Sequence, residues 1–571
     1  MHDATVLFEP FWNDLGLILA TERARSTKDP MESWQPGGMV IYAAIPRAFQ
    51  DSNSDGIGDF GGMLQRLDYL QQLGVTCLWI LPFFPCGGRD NGYDIRNFTD
   101  ISPEYGTLDE FRELVDQAHR RGIQVVIDLI AHHTSNEHPW FQASRRSPAS
   151  VYHDYYVWTE EPPAGKQPVN IFPTVEDGVW QFDEASQRYY FHLFYKEEPD
   201  LNFANADVQQ EMLRVADFWM AFGIDGFRLD ALNHLFEDKG IPGTGATNKC
   251  EFLARLRAVM AAHNPQAFLI AEADTDLREV ESYVCNGEGI ELFFNFALDN
   301  YIFLALARES AEPILEGLEL APPHPSQWTW LNFLRNLDEL DLEQLSEQAR
   351  QEVWDRFAPE PEMRAYGRGI RRRLAPMLDG DPQWLKFAYS LLFSLPGVPL
   401  IVYGDEIGMG EDLARPEREA VRAPMQWNGD QFTGFSDRAP HEIVNPLIDD
   451  GPFGLARVNV ESQIDDEDSL LCFLKTLCEL RHRRPWLGMH DLEANPIEQE
   501  NHRVLVFEQR QADHRLLSLH NFSSQPQNVT LKDGNAFEGA PLLSSPGCQI
   551  AGDGDVELGP FGYLWLERAS E

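Results

Sequence analysis

Cysteine is scarce in this chain. Its seven residues, an odd number without a CxxC pair, compose neither a disulfide framework nor a zinc-ligand pattern, and a reducing cytoplasm suits such usage. Positive charge is short as well: 46 Lys and Arg stand against 91 Asp and Glu, for a formal charge of -45. Binding to a phosphate backbone needs clustered cations that displace counterions, so the balance argues against nucleic acid as a partner. The acidic excess is spread along the chain and reads as a solubilising surface suited to high salt. No run of about twenty apolar residues occurs, and the N-terminus lacks a basic start, an apolar run and a small-residue cleavage site. Neither a membrane span nor an export signal is therefore expected. Internal repeats and low-complexity segments are also missing.

What is present is length and apolar content, 571 residues at 43% hydrophobic, enough for large cores in more than one domain. Residues 1–35 form a mixed N-terminal extension with an amphipathic piece, "NDLGLILATERA", ending at "WQPGG". Short apolar runs then alternate with helical periodicity: "GMVIYAAI", "FGGMLQRLDYLQQLG", "VTCLWIL", "TLDEFRELVDQAHRRG" and "IQVVIDLIA". This is the beat of a parallel sheet. It resumes after an irregular stretch with "IDGFRLD", "FLIAEA", "IELFFNF", "TWLNFLRNLD" and "GVPLIVYGDE", giving eight strands. The expected fold is a (β/α)8 TIM barrel over 36–131 and 206–490, with a subdomain inserted after strand three at 132–205. Alternating runs such as "HRVLVFEQ" and "GYLWLE" make 491–571 a separate antiparallel β-sandwich domain.

In such a barrel the chemistry sits at the C-terminal strand ends. Strand three ends in Asp128 and then His132 and His133, strand four in Arg228 and Asp230, strand five in Glu272, and strand seven in Asp338. Three carboxylates on one mouth suit glycosidic cleavage, where one group protonates the leaving oxygen and another attacks or stabilises the anomeric carbon. Arg228, two residues before Asp230, shares its strand face and would hold that carboxylate ionised. Singly, each acid has a plainer use as a helix cap or turn acceptor; capping does not require convergence. The aromatic residues of "DYYVW" and "RYYFH" suit either stacking on sugar rings or packing.

At "DLIAHHTS", "GFRLDALNH", "LIAEAD" and "FLRNLDE" the sequence resembles the α-amylase family, glycoside hydrolase family 13. Within it, "DNGYDIRNFTDISPEYGT", "HPWFQASRRS", "EPDLNF", "YGDEIGMGED" and "VRAPMQW" are similar to the trehalose synthases, which isomerise maltose and trehalose. The resemblance implies Asp230 as nucleophile, Glu272 as general acid and then base, and Asp338 as the carboxylate that grips the ring. Tyr93 would stack on the glucose, with Asp94, His133 and Arg228 completing its pocket. Retention would follow, with acid and nucleophile about 5–5.5 Å apart. The implied partner is a small α-glucoside such as maltose, trehalose or sucrose, with room left for a homo-oligomer.

Three positions depart from the family pattern. Leu337 stands where the family has a substrate-binding His, and it can neither donate a hydrogen bond nor carry charge. His132 replaces an Asn that ligates calcium between barrel and insert in amylases, and it is a poor substitute because calcium prefers oxygen. Ile45 replaces a Tyr of the first strand. Two alternatives to isomerisation therefore stay open: an α-glucosidase or transglucosylase acting on sucrose or a glucosylated osmolyte, and a weakly active relative that binds sugar or a partner.

The stretch "DSNSDGIGDFGG" contains the spacing of a dinucleotide fingerprint, but it does not directly follow strand one, and strand two ends without the acid a ribose needs. It begins like an EF-hand, with hard oxygens from Asp51, Asn53, Asp55 and Asp59 and the Ile57 carbonyl, but places Gly62 where the bidentate Glu belongs. A structural Ca2+ or Mg2+ site on the barrel is expected, which the family resemblance also implies; the alternative is a metal-free turn.

Overall fold

The structure, a computed structural model, describes residues 34–165, 167–245, 248–274, 277–320, 327–430, 434–489, 492–497, 499–531, 540–551 and 554–569. The amphipathic piece expected near the N-terminus lies outside them. Eight parallel strands close into a barrel: β1 (Ile41–Ala44), β2 (Cys77–Ile80), β3 (Gln124–Leu129), β4 (Gly226–Leu229), β5 (Phe268–Ala271), β6 (Leu292–Phe294), β7 (Thr329–Asn332) and β8 (Val398–Val402), with β8 pairing back to β1. These runs are mostly apolar because both strand faces are covered, with Asp128 on β3 and Arg228 on β4 as charged exceptions. The helix Leu108–Arg120 shows how the segments between them wind: Thr107 Oγ1 accepts from the Glu110 amide at 3.2 Å, Glu110 accepts from the Thr107 amide at 2.8 Å, and Phe111, Leu114, Val115 and Ala118 form the buried stripe.

Two excursions rise from the C-terminal end of the barrel. The first, after β3, carries a small antiparallel sheet in which Arg188–Phe191 lies between Trp158–Thr159 and Trp180–Asp183. The aromatic residues Tyr155, Tyr156, Trp158 and Tyr190 are buried there, with Phe141 against the last three, so packing is their use. The second follows β7 and pairs Gly369–Ile370 with both Leu340–Asp341 and Arg364–Ala365. Sequence patterning does not single out this second excursion, because its strands are two residues long and show no alternation.

At the C-terminus a five-stranded antiparallel sheet and a three-stranded one bury Val504, Val506, Leu517, Leu519, Val529, Val556 and Leu558 in one cluster. Trp565 of the larger sheet donates from Nε1 to Ser390 Oγ at 3.0 Å, tying it to the barrel helix Pro382–Ser394. No helix among the described residues is long and apolar enough to cross a membrane.

The cysteine expectation needs one correction. Cys250 and Cys285 form a disulfide, with Cα atoms 5.3 Å apart. The first turn of the helix Lys249–His263 and the loop after β5 are neighbours around the barrel, which a separation of 35 residues does not reveal. The other five cysteines are free.

Candidate active site

Arg228 is the centre of the mouth. It lies on β4, is 2% exposed, and its fork reaches three carboxylates from three adjacent strands. Nη1 donates to Asp128 Oδ1 at 2.7 Å and to Asp230 Oδ1, and Nη2 donates to Glu272 Oε2 at 2.6 Å. Asp128 is further fixed by Trp79 Nε1 at 2.8 Å. Parallel strands in register produce this arrangement: Asp128 pairs with Arg228 across β3 and β4, and Leu229 with Ala271 across β4 and β5. Just past Asp230, Ala231 is held in the left-handed region at φ 46°, a conformation that costs about 1–3 kcal/mol and persists where surroundings impose it. Its amide donates to Glu272 Oε2 at 3.3 Å.

Asp338 lies beyond the end of β7, in the loop that leads to the second excursion. Its Oδ1 accepts from Arg422 Nη2 at 2.8 Å and lies 3.4 Å from Arg418 Nη1. Burial would raise its pKa, but Arg418, Arg422 and Arg228 together hold it below the usual carboxylate value. Asp230 goes the other way: burial raises it against the opposing pull of Arg228. Glu272 is pushed up to about 7 by burial, and the charges of Asp230 and Asp338 add to the rise while Arg228 opposes it. Three clustered carboxylates thus differ in proton affinity because arginine is distributed unevenly among them.

Asp230, Glu272 and Asp338 line one cavity of about 170 Å³, as do Tyr93 and His133. His133 is 2% exposed and its Nε2 has no hydrogen-bond partner, the nearest carboxylate oxygen being Glu198 Oε1 at 3.8 Å; burial lowers its pKa to about 4, which leaves it neutral. Asp94 and Arg228 sit behind the wall. Asp94 is fully buried and accepts the amides of Arg89 at 2.9 Å and Asp90 at 3.3 Å. Leu337 is not brought to the cavity. It is 3% exposed and belongs to the main apolar core, its carbonyl accepting from Arg422 Nε at 3.1 Å, while its neighbours Asn336 and Asp338 face the cavity.

Sequence reasoning misses Asp90, Arg418 and Arg422. Asp90 and Arg418 line the cavity and lie 3.8 Å apart. The available signal is the charged "REAVR" segment in the loop after β8.

His132, which the resemblance sets where amylases have a calcium-ligating Asn, lies here beside an ammonium. Lys239 Nζ lies 3.0 Å from Asp200 Oδ2, 3.3 Å from His132 Nε2 and 3.1 Å from the His234 carbonyl. In the loop after β1, Asp51 Oδ1 accepts the amides of Asn53 and Ser54, and its Oδ2 those of Gly56 and the Ser436 hydroxyl. Asn53 and Asp55 accept the amides of Asp55 and Ile57 respectively, and Asp59 accepts the Gly62 amide to cap the helix Phe60–Gln65. A Cβ at Gly62 would meet the Gln50 carbonyl oxygen at 1.9 Å, which explains why no Glu stands there. Asp274, Asp341 and Glu343 at the mouth also bring carboxylate oxygens within 4.8 Å of one another, although Asp341 is already paired with Arg368 at 2.5 Å.

Known proteins resemble the chain over most of its length. The α-amylase catalytic domain, as a family, matches residues 42–327 and 371–489. A trehalose synthase/amylase of Mycobacterium tuberculosis (strain ATCC 25618 / H37Rv) is 42% identical over 499 residues, covering 86% of this chain and 82% of that protein. A trehalose synthase of Pimelobacter sp. (strain R48) is 40% identical over 545 residues, 92% of this chain and 94% of that one. Among solved structures, a trehalulose synthase in complex with Tris superposes with a TM-score of 0.75 at 24% identity, covering 93% of this chain and 99% of the other.

Proposed function

Because the chain belongs to the α-amylase family, we propose that it is a trehalose synthase-like enzyme which interconverts maltose and trehalose through a retained glucosyl-enzyme. The observation that carries this reading is the single Arg228 fork across Asp128, Asp230 and Glu272 at a cavity that Asp338 also lines. Asp230 attacks the anomeric carbon from one side as Glu272 delivers its proton to the departing glycosidic oxygen. The raised affinity of Glu272 for its proton suits a general acid at neutral pH. Asp338, kept anionic by Arg418 and Arg422, accepts ring hydroxyls and helps distort the sugar. His133 and Tyr93 bound the same glucose. The freed glucose then returns through its anomeric hydroxyl, Glu272 takes that proton, and the bond to Asp230 breaks. Two displacements at one carbon retain its configuration.

The outcome depends on water. If water reaches the glucosyl-enzyme first, the product is glucose, and the protein acts as an α-glucosidase. Incubation with maltose, trehalose and sucrose, followed by NMR of the anomeric protons, separates the readings. Interconversion of maltose and trehalose, abolished in Asp230→Ala, is the expected result. Glucose as the main product would replace isomerase with hydrolase, and inertness toward all three sugars would remove both.

The Asp51–Asp59 loop is proposed to hold Ca2+, or Mg2+, as a structural clip away from the reacting atoms. Its support is chemical: Asp51, Asn53, Asp55, Asp59 and the Ile57 carbonyl concentrate hard oxygens in nine positions; Asp55, which accepts one amide, keeps lone pairs for an ion, while Asp51, which accepts three amides and the Ser436 hydroxyl, would have to share or exchange some of them.

A further inference from the structure

Glu417 lies outside the residues given a role above, yet three other segments over the mouth meet at its carboxylate, making four with its own. It sits in the loop after β8. The hydroxyl of Tyr195, from the first excursion, donates to its Oε2, and the hydroxyl of Tyr366, from the second excursion, lies 3.3 Å from the same oxygen. Arg89, from the loop after β2, reaches its Oε1 from Nη2 at 3.2 Å, and its guanidinium lies 3.6 Å from the centre of the Tyr195 ring. Apolar contacts close the same junction: Phe172 packs against Tyr195 with ring centres 4.2 Å apart and against Tyr366 at 4.6 Å. These residues and Ala365 form a small core of their own, separate from that of the barrel.

Backbone conformation marks the same place. Glu417 has φ 46° and Tyr366 φ 52°, the left-handed region that side-chain-bearing residues occupy only where their surroundings hold them. The residue after Glu417 is Arg418, which lines the cavity, bonds Glu339 at 2.9 Å and lies over Phe172 at 4.9 Å. The junction is thus one residue away from the wall of the glucose pocket, and Glu417 itself does not line that pocket.

We propose that Glu417 is a positioning residue that latches these four segments over the mouth and thereby sets the partition of the glucosyl group between the enclosed sugar and water. The inference rests on the isomerase reading above. In the competing step a water oxygen, instead of a glucose hydroxyl, bonds to the anomeric carbon as the ester bond to Asp230 breaks, and Glu272 takes the water's proton. Both routes use the same catalytic groups. They differ in which nucleophile is present during the life of the intermediate, so a loosened latch changes the product ratio more than the chemistry.

The test compares wild type with Glu417→Ala, Glu417→Gln and Tyr195→Phe. Three quantities are read: the share of consumed maltose that ends as glucose, the Tm, and the rate at which water releases the covalent adduct formed by a fluorinated slow glucosyl donor. The expected result is a severalfold larger glucose share and faster hydration of the adduct in Glu417→Ala. Smaller effects are expected in Glu417→Gln, whose carbonyl still accepts from the tyrosines, and in Tyr195→Phe, with total maltose consumption maintained. An unchanged glucose share and adduct lifetime in folded Glu417→Ala and Tyr195→Phe overturns the latch. A wild type that only hydrolyses overturns the isomerase reading, and the latch then stands or falls on the adduct lifetime. A wild type that consumes neither maltose nor the slow donor overturns both.

Discussion

Glu272 and Asp230 share one guanidinium, yet the tasks proposed for them require opposite protonation. Glu272, pushed up to about 7, must hold a proton to act as acid, so activity should fall as pH rises through that value. Asp230, raised from its ordinary value by burial, must be ionised to attack, so activity should also fall on the acid side. The expected kcat/KM profile is a bell whose alkaline limb lies near pH 7. Glu272→Gln should lose that limb and slow maltose conversion by roughly a hundredfold or more; a variant that keeps the alkaline limb would assign the titration to another group. These carboxylates are legible in sequence because a strand end fixes where its side chains go. Leu337 is different. Sequence tells that a donor is missing there but not where the side chain points, which depends on the turn after β7. Since Leu337 packs into the core, Leu337→His should not raise turnover. It should lower stability by about 1–3 kcal/mol through a buried donor without a partner, read as a drop in the denaturant midpoint; a gain in maltose turnover would place that side chain at the sugar.

Two loops at the barrel's C-terminal end show how far an element's chemistry follows from its residues. In the Asp51–Asp59 loop the expectation rests on local spacing, and each side chain caps an amide two to five residues on, although Ser436 and Arg438 also brace the turn from far along the chain. At Lys239 the partners come from the end of β3, the first excursion and the loop after β4. No spacing along the chain announces such a junction, just as none announces the pairing of Cys250 with Cys285. Eight strands and their helices are legible because each repeats a pattern within itself; contacts among the loops above them are set by tertiary placement. If the Asp51–Asp59 loop holds the proposed ion, it and the Lys239 junction respond differently to metal removal. A chelator should lower the Tm of the wild type through the Asp51–Asp59 loop, and Asp55→Ala should abolish that sensitivity, because Lys239 supplies its charge covalently. Equal melting with and without chelator, after metal-free preparation and calcium return, would make the loop a metal-free turn.

Across the whole molecule, a few arginines are drawn into or close to the interior. Arg228, Arg368, Arg373, Arg418 and Arg422 each pair with interior carboxylates, and much of the remaining excess behind the charge of -45 faces solvent. Like charges spread over a surface repel, and unfolding relieves that repulsion, so the compact state is destabilised at low ionic strength. Added salt shortens the screening length from about 10 Å at 0.1 M to about 3 Å at 1 M, which weakens repulsion between surface carboxylates but reaches the Arg228 fork little. The Tm should therefore rise as potassium chloride is raised over that range, while the pH at which the alkaline limb of kcat/KM falls should move little, because Glu272 is only 22% exposed and bonded to the buried Arg228. A Tm that stays flat or falls would mean that the acidic surface is already neutralised by its own ion pairs. A limb that shifts with salt as strongly as the Tm does would mean that the catalytic carboxylates are open to solvent, against the burial of Arg228 and Asp230 that orders them.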